Sequence, residues 1–405
     1  MGRLDLADQR AFAAGERVFA LADSVHAVSL TGPDALALVS ALTTLPPGAV
    51  PGPDGQAALA LDAHGHILFG LTILPVERGS EAGQVGASRA AGADRRDGDG
   101  EADGADEADG APEGTQPTNV TGTGAGEWLV LTDAPAEQVA EHFNARRFRR
   151  QVQARPLPGV KVVLTREPLG PLPPTAGVLA QARDWWPGAA GRPDGVGPRY
   201  SVTEPHPGRD WAGLTLSAFR ADAAKPLPQR LEAAGWRQID AAALEALRVA
   251  AWRPLATREA ADGRTLPHEL DWLRSTTPLG SGCYPGQEAV AKVVNVGKPP
   301  RRLVFLHLDG SEAALPEPGA AVFAVASGEP VGHVTSAAAH FELGPIALAL
   351  VKRSLPTDAS LAVEARGAVA ANQTEIVTPS GESDARPARR AAPPPLRRRQ
   401  VSHHL

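Results

Sequence analysis

The sequence predicts an α+β protein with a separate β unit, a small barrel or sandwich, at its C-terminal end. Helix and strand patterns are mixed over residues 1–300, without the regular alternation of a doubly wound parallel sheet. From residue 301 onward, short strand patterns follow one another with turn residues between them, which is typical of small barrels and sandwiches. We therefore expect one large module over residues 1–300 and a β unit over residues 301–379.

Two segments have compositions that cannot build a core. Residues 77–126 contain 11 acidic residues and 4 arginines with no apolar periodicity, so we expect them to be disordered. Strand patterns at residues 67–74 and 127–131 flank this segment, which makes it an enlarged hairpin loop inside the first module. Residues 380–405 are rich in proline and arginine and are expected to form a disordered tail.

Composition limits the function classes. The chain has 405 residues, 43% of them hydrophobic, and a net charge of −6, which is typical of a globular protein. No apolar run is long enough to span a membrane, and one cysteine without a secretory start indicates a cytoplasmic protein. Outside the two low-complexity segments the charge is nearly balanced, so no direct nucleic-acid binding is expected.

The single cysteine, Cys283, lies between glycines in the segment Gly280–Glu288. Glycine permits a sharp turn that would present the thiol as a nucleophile or a soft-metal ligand. The alternative is a small buried residue that packs the turn, since free cysteine is among the most buried residue types. Composition alone favours this alternative. The apolar residues 289–294 that follow are predicted to return into a sheet.

Other candidate sites carry less information. We interpret His64-Gly65-His66 as a turn between strands, and His403-His404 as a chance pair rather than a metal site. The sequence contains no phosphate-binding glycine loop and no paired cysteines. With one thiol, a metal site built within this chain is not expected, whereas a cluster shared with a second protein's cysteines is compatible with the sequence.

The cysteine segment resembles a family signature. Gly282-Cys283-Tyr284-Pro285-Gly286-Gln287-Glu288 is similar to the K-G-C-Y-x-G-Q-E motif of the folate-binding YgfZ family, which is related to the glycine cleavage T-protein, an aminomethyltransferase. The segments 247–254, 266–269 and 296–303 resemble other elements of that family. The chain departs from it at Ser281, where lysine is usual, and at Ala250, where glutamate is common.

The resemblance implies an aminomethyltransferase-like fold of three parts around a central cavity that accepts tetrahydrofolate, with a small C-terminal β-barrel. It also implies a role in the assembly or repair of iron–sulfur clusters in client enzymes, including one that modifies tRNA. The expected partners are tetrahydrofolate and iron–sulfur assembly proteins or clients, with any cluster bound transiently or shared.

The resemblance also assigns residues around the thiol. Cys283 becomes the functional thiol and a candidate shared cluster ligand. Gly282 and Gly286 shape its turn, while Gln287 and Glu288 position it by hydrogen bonding.

A second group of residues is assigned to the cofactor. Because a carboxylate can read the amidine edge of a pterin with two hydrogen bonds, Glu269 is predicted to bind the pterin. Arg248 is predicted to support the cavity or hold the glutamate tail of the ligand. Tyr284, Gly282 and Gly286 are also grouped with the cofactor. We expect Cys283 to be exposed at the edge of this cavity.

Two alternatives remain open at the level of sequence. One is a tetrahydrofolate-dependent one-carbon transferase of the aminomethyltransferase type. The other is a folate-binding scaffold whose thiol is structural. The Cys-Tyr-x-Gly-Gln-Glu signature argues against the transferase, because aminomethyltransferases do not rely on it.

Overall fold

The computed structural model describes residues 6–76, 127–170, 177–183, 196–211, 214–220, 226–278, 280, 282–311 and 314–387. The acidic segment 77–126, Ser281 and the pair His403-His404 lie outside the described residues. No helix in the described ranges is long and apolar enough to cross a membrane.

The first sheet contains five antiparallel strands in the order β3-β4-β5-β2-β6. β4 and β5, which flank residues 77–126, are paired neighbours, as the enlarged hairpin required. Two helices cover the sheet and bury an apolar face against it. These elements are β2 (His26–Thr31), α2 (Ala35–Leu42), β3 (Gln56–Leu61), β4 (Ile67–Pro75), β5 (Glu127–Thr132), α3 (Ala136–Ala145) and β6 (Gln153–Pro156).

The second sheet has the order β10-β1-β7-β9-β8, and only the β1–β10 pair is parallel. Helix α5 packs beside it, and its first turn is capped by the Asp240 carboxylate, which accepts a 2.8 Å hydrogen bond from the Ala242 amide. The elements of this unit are α1 (Leu6–Ala13), β1 (Val18–Leu21), β7 (Lys161–Thr165), β8 (Val178–Arg183), β9 (Thr215–Phe219), α4 (Leu227–Ala233), β10 (Arg237–Ile239) and α5 (Ala241–Ala250).

Short helices connect the two sheets to the C-terminal unit: α6 (Ala256–Glu259), a 3₁₀ turn (Pro267–Leu270), α7 (Leu273–Thr276) and α8 (Gln287–Asn295). The prediction that residues 289–294 form a strand is wrong, because they lie in α8. Only Val290 and Val294 of this helix are buried, and their four-residue spacing places both on one helical face. The other apolar residues of the run are only partly buried or exposed.

The C-terminal unit is a closed six-stranded barrel in the order β11-β14-β13-β12-β15-β16, and β16 pairs with β11 to complete it. Alternation along β11 divides its side chains between two cores. Val304 and Leu306 fill the barrel, whereas Leu303 and Phe305 pack against the first module. The strands are β11 (Arg301–Leu308), β12 (Ala321–Ala324), β13 (Pro330–His340), β14 (Gly344–Lys352), β15 (Leu361–Glu364) and β16 (Ala368–Glu375).

The predicted disordered tail begins at residue 380, but residues 380–387 pack against the rest of the protein. Arg386 donates hydrogen bonds to the carbonyl oxygens of Gly297 and Val296, at 2.8 and 3.0 Å. The Asp384 carboxylate pairs with Arg199 at 2.7 Å. These charged residues have specific partners, which proline and arginine content does not reveal. Residues 388–405 lie outside the described chain.

Candidate functional site

A cavity of about 380 Å³ lies between the two sheets and is closed by α5. Its size is within the range of small-molecule sites. Ala58, Leu71 and Leu131 of the first sheet face it, as do Leu21 and Leu164 of the second. The predicted central cavity is therefore present. Six charged residues also line it: Asp23, Asp133, Glu245, Arg248, Arg253 and Arg258.

Arg248 lines the cavity, as predicted, and its guanidinium is held by protein groups. Nε and Nη2 donate to the two Glu245 oxygens at 2.8 and 2.7 Å, and Nη1 donates to Glu259 at 3.2 Å. Nη1 also donates to the Arg253 carbonyl, and Nη2 to the Ser336 hydroxyl of the barrel. These contacts favour cavity support over binding of a ligand tail.

Glu259 anchors this network and was missed by sequence reasoning. Its carboxylate, fully buried, accepts from the Leu255 amide at 2.7 Å and from Thr335 and Ser336 at 3.1 and 2.6 Å. Burial alone would lower the pKa of Arg248, but Glu259 and Glu245 outweigh it and raise that pKa. The network therefore keeps the cavity wall charged and fixed to the barrel.

The structure places Glu269 away from the cavity wall. It belongs to the 3₁₀ turn and is fully buried, and its Oε1 and Oε2 accept from the Arg301 guanidinium at 3.0 and 2.8 Å. The Leu266 and Arg301 amides each donate to the same carboxylate at 3.0 Å. Both oxygens accept hydrogen bonds that join the first module to the barrel, so they are not free to bind a pterin. The structure therefore does not support the predicted pterin role of Glu269.

Asp133 is the cavity carboxylate best suited to a ligand. It follows β5, and its Oδ2 accepts from the Thr257 amide and hydroxyl at 2.8 and 3.0 Å. Burial raises the pKa of Asp133, and the Thr257 donors oppose this only partly. The exposed Arg258 also lines the cavity. Burial alone would raise the pKa of Glu245, but Arg248 and, to a lesser extent, Arg258 outweigh it and lower that pKa. Sequence reasoning missed Asp133 and Arg258, because neither belongs to a motif.

A third cavity arginine, Arg253, is almost completely buried. Burial and the nearby Arg274 lower the pKa of Arg253 to about 9, which leaves the side chain cationic at neutral pH. It follows Trp252, whose backbone has a positive φ of 58°. Trp272 from the start of α7 adds an aromatic surface to the same cavity.

Cys283 is exposed, as expected for a presented thiol and contrary to a sealed, structural one. Two close contacts fix its turn. A Cβ atom on Gly282 would lie 2.3 Å from Pro47, and one on Gly286 would lie 2.4 Å from the Asp62 carbonyl oxygen. Gly286 also has a φ of 79°, a conformation that favours glycine. Neither position therefore has room for a side chain in this turn.

The turn at residues 62–66 packs directly against the cysteine segment. The Asp62 carboxylate accepts from the His64 and His66 amides at 2.8 Å each and pairs with the His66 ring at 2.9 Å. These bonds make His64-Gly65-His66 a turn between β3 and β4, as interpreted from the sequence. Gly65 lies directly against Gly286, so the two motifs form one surface.

The remaining signature residues begin α8. Gln287 and the exposed Glu288 form its first turn, where a carboxylate favours the positive end of the helix dipole. Tyr284 packs against the core shared with the barrel, and burial raises the pKa of Tyr284 to about 12. The structure does not bring Tyr284 to the cavity. Hydrogen bonding of Gln287 and Glu288 to Cys283 stays a prediction.

The thiol and the cavity are separate features. Of the described residues that line the cavity, none belongs to Gly282–Glu288. Cys283 therefore does not lie at the cavity edge, contrary to the expectation, although its side chain is exposed as expected. Within the described ranges, no group of three or more His, Cys, Asp or Glu side chains is arranged to hold a metal ion.

Comparison with known proteins agrees with this architecture. Residues 301–379 match the family model of the glycine cleavage T-protein C-terminal barrel domain. The fold is similar to the crystal structure of glycine cleavage system aminomethyltransferase T from Bartonella henselae, with a TM-score of 0.61 and 14% identity over 92% of this chain and 88% of that one. No curated protein matches the sequence. The chain therefore has an aminomethyltransferase-type fold with a C-terminal barrel.

Proposed function

We propose that this chain is a tetrahydrofolate-binding accessory protein that supports iron–sulfur cluster assembly or repair, with tRNA-modifying enzymes among its clients. The observation that carries the proposal is the exposed Cys283 on a turn fixed by Gly282 and Gly286. A thiol that only packed the turn would be shielded from solvent, whereas this one is available to a partner protein.

Tetrahydrofolate fits the residues that line the cavity. The volume suits a flat ring system, and Trp272 and the small side chains of β3 and β4 provide apolar walls. Asp133 is the carboxylate that would accept from the amidine edge of the pterin through Oδ1, because its Oδ2 already accepts two hydrogen bonds from Thr257. The exposed Arg258 would hold the carboxylates of the glutamate tail. When bound, tetrahydrofolate supplies a carrier for one-carbon units.

Cys283 acts outside this cavity in the proposal. Because the described residues provide no complete metal site, the thiolate would contribute one ligand to a cluster whose other ligands belong to the client or assembly protein. The Asp62 turn holds the cysteine segment in position from β3 and β4. Folate occupancy would stabilise the first sheet that carries this turn.

The fold similarity to an aminomethyltransferase favours a second candidate, a tetrahydrofolate-dependent one-carbon transferase. Its chemistry would take place in the cavity and would not involve Cys283. Formation of methylene-tetrahydrofolate from an aminomethyl-lipoyl carrier by the purified protein would establish this candidate, and absence of product under saturating tetrahydrofolate would remove it.

The test of the main proposal is Cys283→Ser in cells that lack the native chain. We expect the variant to fold and to accumulate like the native protein, because Cys283 is exposed, but the activity of iron–sulfur enzymes to fall to that of cells without the chain. Lys292→Ala, on α8, is the matched control and should retain activity. Full client activity with Cys283→Ser would refute the proposed role of the thiol.

A further inference from the structure

A basic loop with an aromatic tip connects α3 to β6 at the edge of the first sheet. Its sequence is Arg146-Arg147-Phe148-Arg149-Arg150, so four arginines flank one phenylalanine. The Phe148 side chain is 86% exposed and is the most exposed large apolar residue of the described chain. A single exposed apolar residue is common on protein surfaces, but here the exposed ring stands between four arginines.

The backbone holds this tip in a defined conformation. Phe148 has a positive φ of 49°, which is unusual for a bulky residue. The Arg150 amide donates to the Arg147 carbonyl at 2.9 Å, and the Gln151 amide donates to the Asp34 carboxylate at 2.7 Å. The fold thus maintains a strained residue with its ring outward, and such strain is concentrated at functional positions.

The four guanidinium groups of the loop have no carboxylate within ion-pair distance in the described part of the chain. Arg146 and Arg147 donate only to backbone oxygens, those of His142 and Val152, at 3.3 and 3.1 Å. The Asp34 carboxylate, which accepts from the Gln151 amide, is a neighbouring negative charge, but it pairs with none of the four guanidinium groups. Four cationic side chains within five consecutive residues are therefore available to bind a polyanion.

We propose that this loop binds single-stranded nucleic acid, with a base stacked on Phe148 and the flanking arginines on neighbouring phosphates. Aromatic faces that hold unpaired bases, together with cations that follow the backbone, are the usual means of binding single strands without sequence preference. The exposed polar residues Gln151, Gln153 and Arg155 continue the surface along β6.

A nucleic-acid site on this surface is contrary to the expectation drawn from composition, which was that the chain does not bind nucleic acid directly. The net charge of the chain averages the loop with distant acidic residues, whereas a strand of nucleic acid responds to charge within a Debye length, about 8 Å in physiological salt. A membrane fits less well, because the loop offers one apolar side chain and an interfacial segment needs an apolar face. An acidic peptide would use the arginines but would give no role to the exposed ring.

The test is fluorescence anisotropy of labelled single-stranded RNA and DNA, about 12 nucleotides long, with the full chain. If four arginines contact phosphates, affinity should fall about 50-fold between 50 and 200 mM salt. We expect Phe148→Ala to weaken binding about tenfold, and Phe148→Tyr to restore it. Phe148→Leu separates stacking from simple apolar contact and should behave like Phe148→Ala.

Arg149→Ala should weaken binding to all sequences. It should also reduce the slope of log binding constant against log salt concentration by about 0.7. Arg366→Ala, an exposed arginine of the barrel, is the matched control and should change neither. Tighter binding to phosphatidylserine vesicles or to polyglutamate than to RNA and DNA would overturn the proposal in favour of a membrane or an acidic protein. Unchanged binding by Phe148→Ala and Arg149→Ala would overturn it as well.

Discussion

Gly286 links the backbone of the cysteine segment to the turn beneath it. Its φ of 79° and the 2.4 Å distance from an added Cβ to the Asp62 carbonyl oxygen are two separate reasons for glycine. Gly280 offers the matched comparison, because its φ is 80° but an added Cβ would meet no atom of the described residues within 4 Å. Substitutions at Gly280 and Gly286 can therefore separate the cost of a positive φ from the cost of the close contact.

We expect Gly280→Ala to lower the free energy of unfolding by about 1 kcal/mol, the cost of a left-handed alanine. Gly286→Ala should lower it by about 3 kcal/mol or more, since the turn at Asp62 must also move. Urea unfolding at equilibrium measures both. Equal losses would show that the contact between the two turns is not tight.

Composition does not single out a functional thiol, because a lone cysteine is more often a buried packing residue. Cys283 is a candidate because its segment resembles a family signature. Glu269 was chosen for a chemistry that any glutamate offers, and the structure instead gives both of its oxygens to Arg301 and backbone amides. Asp133 has the same chemistry inside the cavity. Which carboxylate faces a cavity depends on the packing of distant elements, and a single sequence does not contain that information directly.

At the scale of elements, Arg301 at the start of β11 joins the barrel to the first module. Its guanidinium pairs with Asp262 at 2.6 Å and with Glu269 at 2.8 Å. Burial alone would raise the pKa of Asp262, but hydrogen bonds from the Arg264 amide, Arg301 and Thr265 outweigh it and lower that pKa to about 2. The connection is therefore strongest when Asp262 is ionised.

This predicts acid sensitivity at the junction. Because the folded-state pKa of Asp262 lies below its unfolded value near 3.8, its contribution is complete above that value and is lost as pH falls toward 2. Between pH 5 and pH 2 the free energy of unfolding of the native chain should fall more steeply than that of Asp262→Asn. Denaturant unfolding at several pH values measures this. Asp358→Asn, which removes an exposed barrel carboxyl, should parallel the native chain, and a parallel curve for Asp262→Asn would contradict the role of the pair.

Elements were predictable where one periodicity dominated. Short strand patterns after residue 301 indicate a β unit, and the closed six-stranded barrel confirms that fold class. The short apolar run 289–294 is compatible with a strand or a helix when only composition is considered. The run forms a helix because Val290 and Val294 contact the core and because the turn that ends at Gly286 leads directly into α8. Such tertiary contacts lie outside what local propensity can indicate.

On the scale of the whole molecule, the two sheets enclose the cavity and the barrel stabilises one of its walls. The barrel contacts the cavity wall indirectly, through Ser336 and Thr335, which bond to the Arg248–Glu259 network. The thiol lies on a different surface, over the β3–β4 turn. In the proposed function, ligand binding and cluster chemistry therefore use separate sites on one framework.

The separation of sites is tested most directly by calorimetric titration of the full chain with tetrahydrofolate. Ala57 lines the cavity, so Ala57→Phe should fill part of it and abolish binding while circular dichroism stays unchanged. Cys283→Ser should bind one tetrahydrofolate per chain with native affinity. Native affinity in Ala57→Phe, or loss of binding in Cys283→Ser, would contradict the account.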